Sequence, residues 1–196
     1  MKSPLRHIAE TLTGATLREK PIAALGKRGR VLLMQLGDLG ADGAIRTRHM
    51  IPIAHQSFFD KFTIQTGDIV FRGRGAGIVA TVMPATELPI VVASPLMIIR
   101  PDVNKVDPHY LVWALINENA RRHYAERSQG SNIIGIGKRD LDQLEIDLPP
   151  LHVQKKIGQL KRLETEEQHL LNRYQKAKTR LVETMIFDAI QKEKTA

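Results

Sequence analysis

Two adjacent prolines, Pro149 and Pro150, close the first three-quarters of this chain and open a run of a different kind. From Leu151 to about Lys192 there is no further proline and a single glycine, Gly158. Proline cannot donate to a hydrogen-bond ladder and turns its predecessor away from helix, so Leu148-Pro149-Pro150 stops what precedes it. The run that follows is dominated by Leu, Lys, Glu, Gln and Arg, all good helix formers. Its apolar residues recur at Val153, Ile157, Leu160, Leu163, Leu170, Leu171, Tyr174, Ala177, Leu181 and Met185; apart from the adjacent pair Leu170-Leu171, the steps are three, four and seven and draw one stripe along a helix. At about 1.5 Å per residue, such a helix extends on the order of 60 Å. A domain built from the rest of the chain is too small to cover it, and a narrow stripe on a long rod calls for another helix. Glu164, Glu167 and Lys178 interrupt the stripe, so the packing is either imperfect or specified by charge. The plainer alternative is a terminal helix lying back on its own domain.

The chain has 196 residues, enough for one domain of ordinary size and an extension. The expected division is residues 1-149 and 150-196. There is no cysteine, which excludes disulfides and thiolate metal sites and is compatible with a reducing compartment. No apolar run reaches the length of a membrane span, and the segment Met1 to Pro21 lacks the apolar middle of a signal peptide. The expectation is a soluble, cytoplasmic protein. The formal net charge is +8, and a basic surface points to a polyanionic partner, nucleic acid first.

Along the chain, Ser3-Pro4 reads as an N-cap with proline at the first helical position. Leu5, Ile8, Ala9 and Leu12 follow at helical spacing and Gly14 is a natural stop, which predicts a short amphipathic helix. Val31 to Leu36 is a strand candidate, Ala41 to Thr47 a loop, and Phe58 to Ile64 a short strand or turn. Thr66-Gly67-Asp68 is a turn signal. Asp68 to Phe71 and Gly77 to Met83 flank Arg72-Gly73-Arg74-Gly75-Ala76 and read as a hairpin around a glycine-rich loop. Pro89 to Arg100 predicts buried strands broken at Pro95. Asp107-Pro108 starts a second helix, apolar at first and polar by Arg127, ending before Gly130. Ser131 to Gly137 is a loop, Lys138 to Leu144 a helical turn and Glu145 to Leu148 a last strand. Strands followed by helices, without strict alternation, predict an α+β fold: a mixed or antiparallel β-rich domain with flanking helices, followed by a long C-terminal coiled-coil helix.

Enzyme signatures fail on inspection. Gly135-Ile136-Gly137-Lys138-Arg139 resembles the end of a phosphate loop, but Asn132 stands where its first glycine belongs and Arg139 where a Ser or Thr is required. Gly73, Gly75 and Gly77 lack dinucleotide spacing and sit in a hairpin. The seven histidines show no metal-ligand spacing. No Glu-x-Lys or Asp-x-Lys triplet of metal-dependent nucleases occurs. Leu148-Pro149-Pro150-Leu151 lacks the polar residue and the aromatic of an amino-methyltransferase motif. The reading is a non-enzyme, with no cofactor and no metal of its own.

The basic residues of the loops form four groups: Lys27, Arg28 and Arg30; Arg46, Arg48 and His49; Arg72 and Arg74; and Lys138 and Arg139 beside the segment containing Asn132. Arginine forks onto guanine and Asn onto adenine, while lysine and backbone N–H groups suit phosphates. Glycine lets the backbone approach a sugar-phosphate chain. Arg72 and Arg74, two apart on a hairpin, are expected to point the same way into a groove. The bland alternative for each is a solvated surface charge.

These residues resemble the specificity (S) subunit of type I restriction–modification enzymes. Leu5-Arg6-His7-Ile8-Ala9-Glu10-Thr11-Leu12-Thr13-Gly14 looks like that family's opening helix and glycine. Gly67-Asp68-Ile69-Val70-Phe71-Arg72-Gly73-Arg74-Gly75 looks like its Gly-Asp-Ile strand and Arg/Gly hairpin. Ile98-Ile99-Arg100-Pro101-Asp102 and Asp107-Pro108-His109-Tyr110-Leu111 look like its strand-to-helix passage. Leu148-Pro149-Pro150-Leu151-His152-Val153-Gln154-Lys155-Lys156-Ile157 is the most specific match, close to the family's Leu-Pro-Pro-Leu-x-x-Gln-x-x-Ile entry to a conserved helix. The resemblance implies a target-recognition domain and a spacer helix, reading double-stranded DNA for partner methyltransferase (M) subunits that bring S-adenosylmethionine. A restriction (R) subunit would cut, so Mg and ATP are also expected only on partners. The usual S subunit carries two recognition domains and two helices; this chain has one of each. Pairing of the helix with its own copy through Ile157, Leu160, Leu163, Leu171, Tyr174, Leu181 and Met185 would supply the second half and demand a bipartite, inverted target. The competing readings are an enzyme subunit with an unrecognised site, a structural or antirestriction-like partner of a methyltransferase that does not touch DNA, and a split half needing a different second half.

Overall fold

The computed structural model describes residues 1–17, 30–75, 77–127 and 135–195, with side chains up to position 191. Lys27, Arg28 and Asn132, the end expected for the second helix, and most of the Ser131–Gly137 loop lie outside the described residues.

The compact unit spans Met1–Gln159. Its centre is a four-stranded antiparallel sheet in the order β2 (Ala9–Thr13), β9 (Met97–Pro101), β6 (Ile69–Arg72), β7 (Val79–Val82). A second four-stranded sheet has the order β4 (Ile51–Ala54), β3 (Arg30–Met34), β8 (Ile90–Val92), β5 (Thr63–Ile64) and contains one parallel pair, β3 with β8. The strand β1 (Lys2–Pro4) pairs with β10 (Glu145–Asp147).

The sequence of β6 explains why the first sheet is central. Ile69, Val70, Phe71 and Arg72 are all buried, so the strand is covered on both faces. Ile69 and Phe71 pack with Leu111, Leu115 and Tyr124 of the helices α1 (Pro108–Ile116) and α2 (Glu118–Arg127). On the other face, Val70 and Ile98 meet Met34, Ile90 and Val92 of the second sheet. The hairpin and the strands either side of Pro95 form as their patterns predict.

The expected opening helix is not there. Lys2–Pro4 is strand, Leu5–His7 a single 3-10 turn, and Ala9–Thr13 pairs along its length with β9. Thr11 explains the misreading. It is buried with Ala9 while Glu10 between them is exposed, so the alternation holds over Ala9–Thr11 but its second inner position is polar. Threonine is also a better strand than helix residue. Gly14 is no helix stop either. A Cβ there would lie 2.6 Å from the carbonyl carbon of Ala93, so glycine is required for the two backbones to pass.

Asp107 caps α1 as expected, accepting from the Tyr110 N–H at 2.9 Å. The predicted single helix after it breaks at Asn117, whose side chain accepts from the Ala120 N–H at 2.9 Å and starts α2. A short helix, α3 (Lys138–Asp142), precedes β10. The last element, α4 (Leu151–Thr195), is a continuous 45-residue helix. Its first turns belong to the compact unit, and the helix from Leu160 onward is a second unit. The α+β architecture with a long C-terminal helix therefore holds.

Within the compact unit, the Leu-Pro-Pro-Leu-x-x-Gln segment is a docking device. Gln154 is 1% exposed, and its amide is fully used. Oε1 accepts from the Asp107 N–H at 3.0 Å, and Nε2 donates to the Pro149 and Lys105 carbonyls at 2.8 and 3.2 Å. One turn later, a Cβ on Gly158 would lie 2.5 Å from Asp107 Oδ1 and 3.0 Å from Tyr110 N. Gln154 and Gly158 are four apart on one helical face. The first satisfies buried backbone groups and the second lets α4 cross the start of α1 closely.

Candidate nucleic-acid interface

Three segments converge at the tip of the β6–β7 hairpin. The first is the loop after β3. Asp38 holds it, accepting from the Gln35 N–H at 2.7 Å, while the Arg46 N–H donates to the Asp38 carbonyl at 2.8 Å. Leu39 and Ile45 form a bridge across it. The second is the hairpin turn itself, where Gly75 and Gly77 take φ of 82° and 105°, open only to glycine at low cost. The third is Gly135–Gly137. The Ile136 N–H donates to the Gly73 carbonyl at 3.1 Å, and a Cβ on Gly73 would lie 2.8 Å from Ile136 Cβ.

Arg72 joins the first two segments. It is 6% exposed; Nη1 donates to the Leu39 carbonyl at 2.6 Å and Nε to the Gly77 carbonyl at 3.4 Å. The expectation that Arg72 and Arg74 point the same way into a groove is therefore corrected. Two-residue alternation applies only while both residues are in a strand, and β6 ends at Arg72. Arg72 turns inward as a strut; Arg74, in the turn, is exposed. The Arg74 Nε lies 3.0 Å from where a Gly135 Cβ would be, so its guanidinium rests on the backbone of the third segment. Arg46 is exposed too, with Nη2 3.0 Å from the corresponding point at Gly40. Glycines at 40 and 135 thus clear space for two arginine side chains at this tip.

Of the other predicted residues, Arg48 and His49 are exposed in the 3-10 turn Thr47–His49. Arg30 is half-buried at the head of β3, opposite Ala54. Lys138 and Arg139 are exposed in the first turn of α3, where Lys138 pairs with Asp142 at 2.9 Å.

The tertiary structure adds residues that the sequence reading passed over. Arg6, His7 and Arg100 line, with the predicted Lys138, a cleft of about 500 Å³ between β2 and α3. Acidic groups share it: Glu10, Asp102 and Asp142 line the same cleft. Asp102 is paired with Lys105 at 3.1 Å, and that ammonium, with the Asn104 N–H, holds its carboxyl below the usual carboxylate range. The cleft is therefore mixed in charge. Arg100 forks onto Asp68, Nε to Oδ1 at 3.0 Å and Nη2 to Oδ2 at 2.8 Å, and this bond raises the arginine's pKa further. Asp68 also accepts from the Gln65 N–H at 2.8 Å, so the Gly-Asp-Ile turn is a structural clamp beneath the hairpin. Among the described residues, no group of three or more His, Cys, Asp or Glu side chains is placed to hold a metal ion. No helix among them is long and apolar enough to cross a membrane.

A family model described as the type I restriction modification DNA specificity domain matches residues 46–175, and the chain belongs to that family. Over 68 residues it is 34% identical to a putative type I restriction enzyme specificity subunit, MjaX, of Methanocaldococcus jannaschii, a match covering 33% of this chain and 16% of that protein. Three solved structures share its fold. The HsdS subunit from Thermoanaerobacter tengcongensis aligns with a TM-score of 0.54 at 16% identity, over 86% of this chain and 37% of that one. A chain from a type I R-M system solved to explain complex assembly and conformational transition aligns at 0.57 and 20%, over 89% and 40%. The S subunit from M. genitalium aligns at 0.54 and 13%, over 85% and 40%. The chain thus spans less than half the length of each of these proteins.

Proposed function

We propose that this chain is a non-catalytic, DNA-reading specificity subunit that directs methyltransferase subunits to a bipartite target. The observation that carries this is the hairpin tip, where Arg72 ties two loops together and Arg46 and Arg74 stand exposed over glycine backbone. Exposed arginines braced by a rigid scaffold suit base edges and phosphates, and small residues beside them let a duplex approach. Arg48, Lys138 and Arg139 extend the basic surface; Lys27, Arg28 and Asn132 are assigned to it on sequence alone. Arg30 and Arg72 support rather than contact. The net charge of +8 favours association with DNA, with a steep dependence on salt.

In this reading, residues 1-149 are the target-recognition domain and 150-196 the spacer helix. The exposed apolar residues Leu160, Leu163, Leu171, Tyr174, Leu181 and Met185 pair with those of a second copy. Ile157 is half-buried and packs against the core of the compact unit. Ile186, Phe187 and Ile190 are also exposed but turned roughly 100–200° from the centre of the stripe. A two-helix pair leaves them open, which suits methyltransferase subunits docking at the same end. Those partners, with a restriction subunit beyond them, would hold S-adenosylmethionine, Mg and ATP, all in the cytoplasm. The test is methylome sequencing of cells lacking the chain, carrying it, or carrying Arg74→Glu. The expected result is an inverted, interrupted motif that appears with the chain and is lost or relaxed with Arg74→Glu. An unchanged motif in all three cells would overturn the reading.

A further inference from the structure

We infer that the exposed stripe of α4 is self-complementary in one register, antiparallel, with Glu167 of each copy facing Lys178 of the other. This rests on the homodimer reading above and sets its geometry.

The positions concerned are 160, 163, 167, 171, 174, 178, 182 and 185, and their successive steps are three, four, four, three, four, four and three. The series reads the same in both directions about a point between Asn172 and Arg173. At 100° per residue, all eight fall within an arc of roughly 100° on the helix; Leu181 and Glu164 lie at the edges of that arc and fall opposite one another, with Glu164 already paired to Lys161 on its own helix. The six apolar members, Leu160, Leu163, Leu171, Tyr174, Val182 and Met185, are between 46% and 65% exposed. An antiparallel pair on a two-fold axis demands this palindromic spacing, because residue and partner exchange roles across the axis. Centred there, Leu160 meets Met185, Leu163 meets Val182, and Leu171 meets Tyr174. The two charged positions, Glu167 and Lys178, fall opposite one another twice.

Three facts select this arrangement. Glu167 and Lys178 have no opposite charge three or four residues away on their own helix, and no ion pair joins either to a described residue. A parallel pair in register would set Glu167 on Glu167 and Lys178 on Lys178, like charges in contact. An antiparallel pair slipped by one heptad would set Glu167 against Leu171 or Met185 and Lys178 against Leu160 or Tyr174, desolvating charges without partners. The interruptions that weaken the stripe thus choose direction and register, as single polar core residues do in other helix pairs.

The experiment is sedimentation equilibrium on the full chain and on E167K, K178E and the double variant E167K/K178E, at constant moderate salt. Each single change is expected to weaken the dimer roughly tenfold or more, and the double to restore it within about threefold. If the parent dimerises and the single changes leave its affinity unaltered, or the double stays as weak as they are, the register is overturned and the homodimer reading stands. If the parent is monomeric at tens of micromolar, the homodimer reading fails and the register falls with it.

Discussion

The first turns of α4 and its later turns are built from the same residue types but obey opposite rules. Between Leu151 and Gln159 the buried face carries a glutamine and a glycine, Gln154 and Gly158. Between Leu160 and Ile190 the large apolar residues stand exposed: Leu160 and Tyr174 are each 65% open. The difference teaches that burial on a helix follows what the neighbouring surface offers, not hydrophobicity alone. Around Gln154, the neighbours are backbone groups at helix and turn ends, the Asp107 N–H and the Lys105 and Pro149 carbonyls, which a leucine cannot satisfy. The later turns carry open apolar surface, the kind that marks an interaction site.

Substitutions can break that comparison from either side. Replacing Leu160 and Leu171 by Asp together is expected to weaken self-association at least about a hundredfold, since four charges would enter the seam. The melting temperature of the compact unit, followed by near-UV circular dichroism, should stay the same; a large fall would mean that the two stretches are one cooperative structure. Gln154→Leu is expected to do the reverse. It strands the Asp107 N–H and two carbonyls and should cost about 3 kcal/mol, read as a melting temperature lower by roughly 6–12 °C, with the α4 association intact. The smallest effect should come from pH. Burial, with Asp140 nearby, raises the pKa of the Tyr124 hydroxyl, and burial likewise raises that of Tyr110, near Asp147. Because the folded pKa is the higher one, this stability is fully present below about pH 10, the unfolded value, and is lost as pH rises through the folded value. The urea midpoint should be flat from neutral pH to about 9.5 and fall above it, less steeply in Tyr124→Phe, and equally so in the Leu160/Leu171 variant.

Much of the architecture was legible in the chain itself. The double proline and the proline-free run marked α4, the Asp107-Pro108 pair marked α1, and the glycine-rich turn marked the hairpin, because caps, turns and periodicity act over a few residues. The opening segment was misread because a polar inward residue, Thr11, hid a strand that only pairing with β9 reveals. At the hairpin tip, the sequence identified the basic residues but not their division of labour. Arg72 and Arg74 are two positions apart, yet one is a buried strut to Leu39 and the other lies exposed across Gly135. Gln154 stood out within a motif without disclosing its task, since its partner at Asp107 is 47 residues away.

The amino-acid sequence by itself determined the long helix, the charges that punctuate its stripe, the basic loops and the family to which they belong, since each is a property of local spacing and residue type. Only the tertiary structure decided which arginines support and which are exposed, why a glutamine and a glycine open α4, and which faces of β6 are covered. Those outcomes depend on chain segments that meet across many intervening residues, where unpaired backbone groups and close approaches, invisible in a linear pattern, set what each side chain must do.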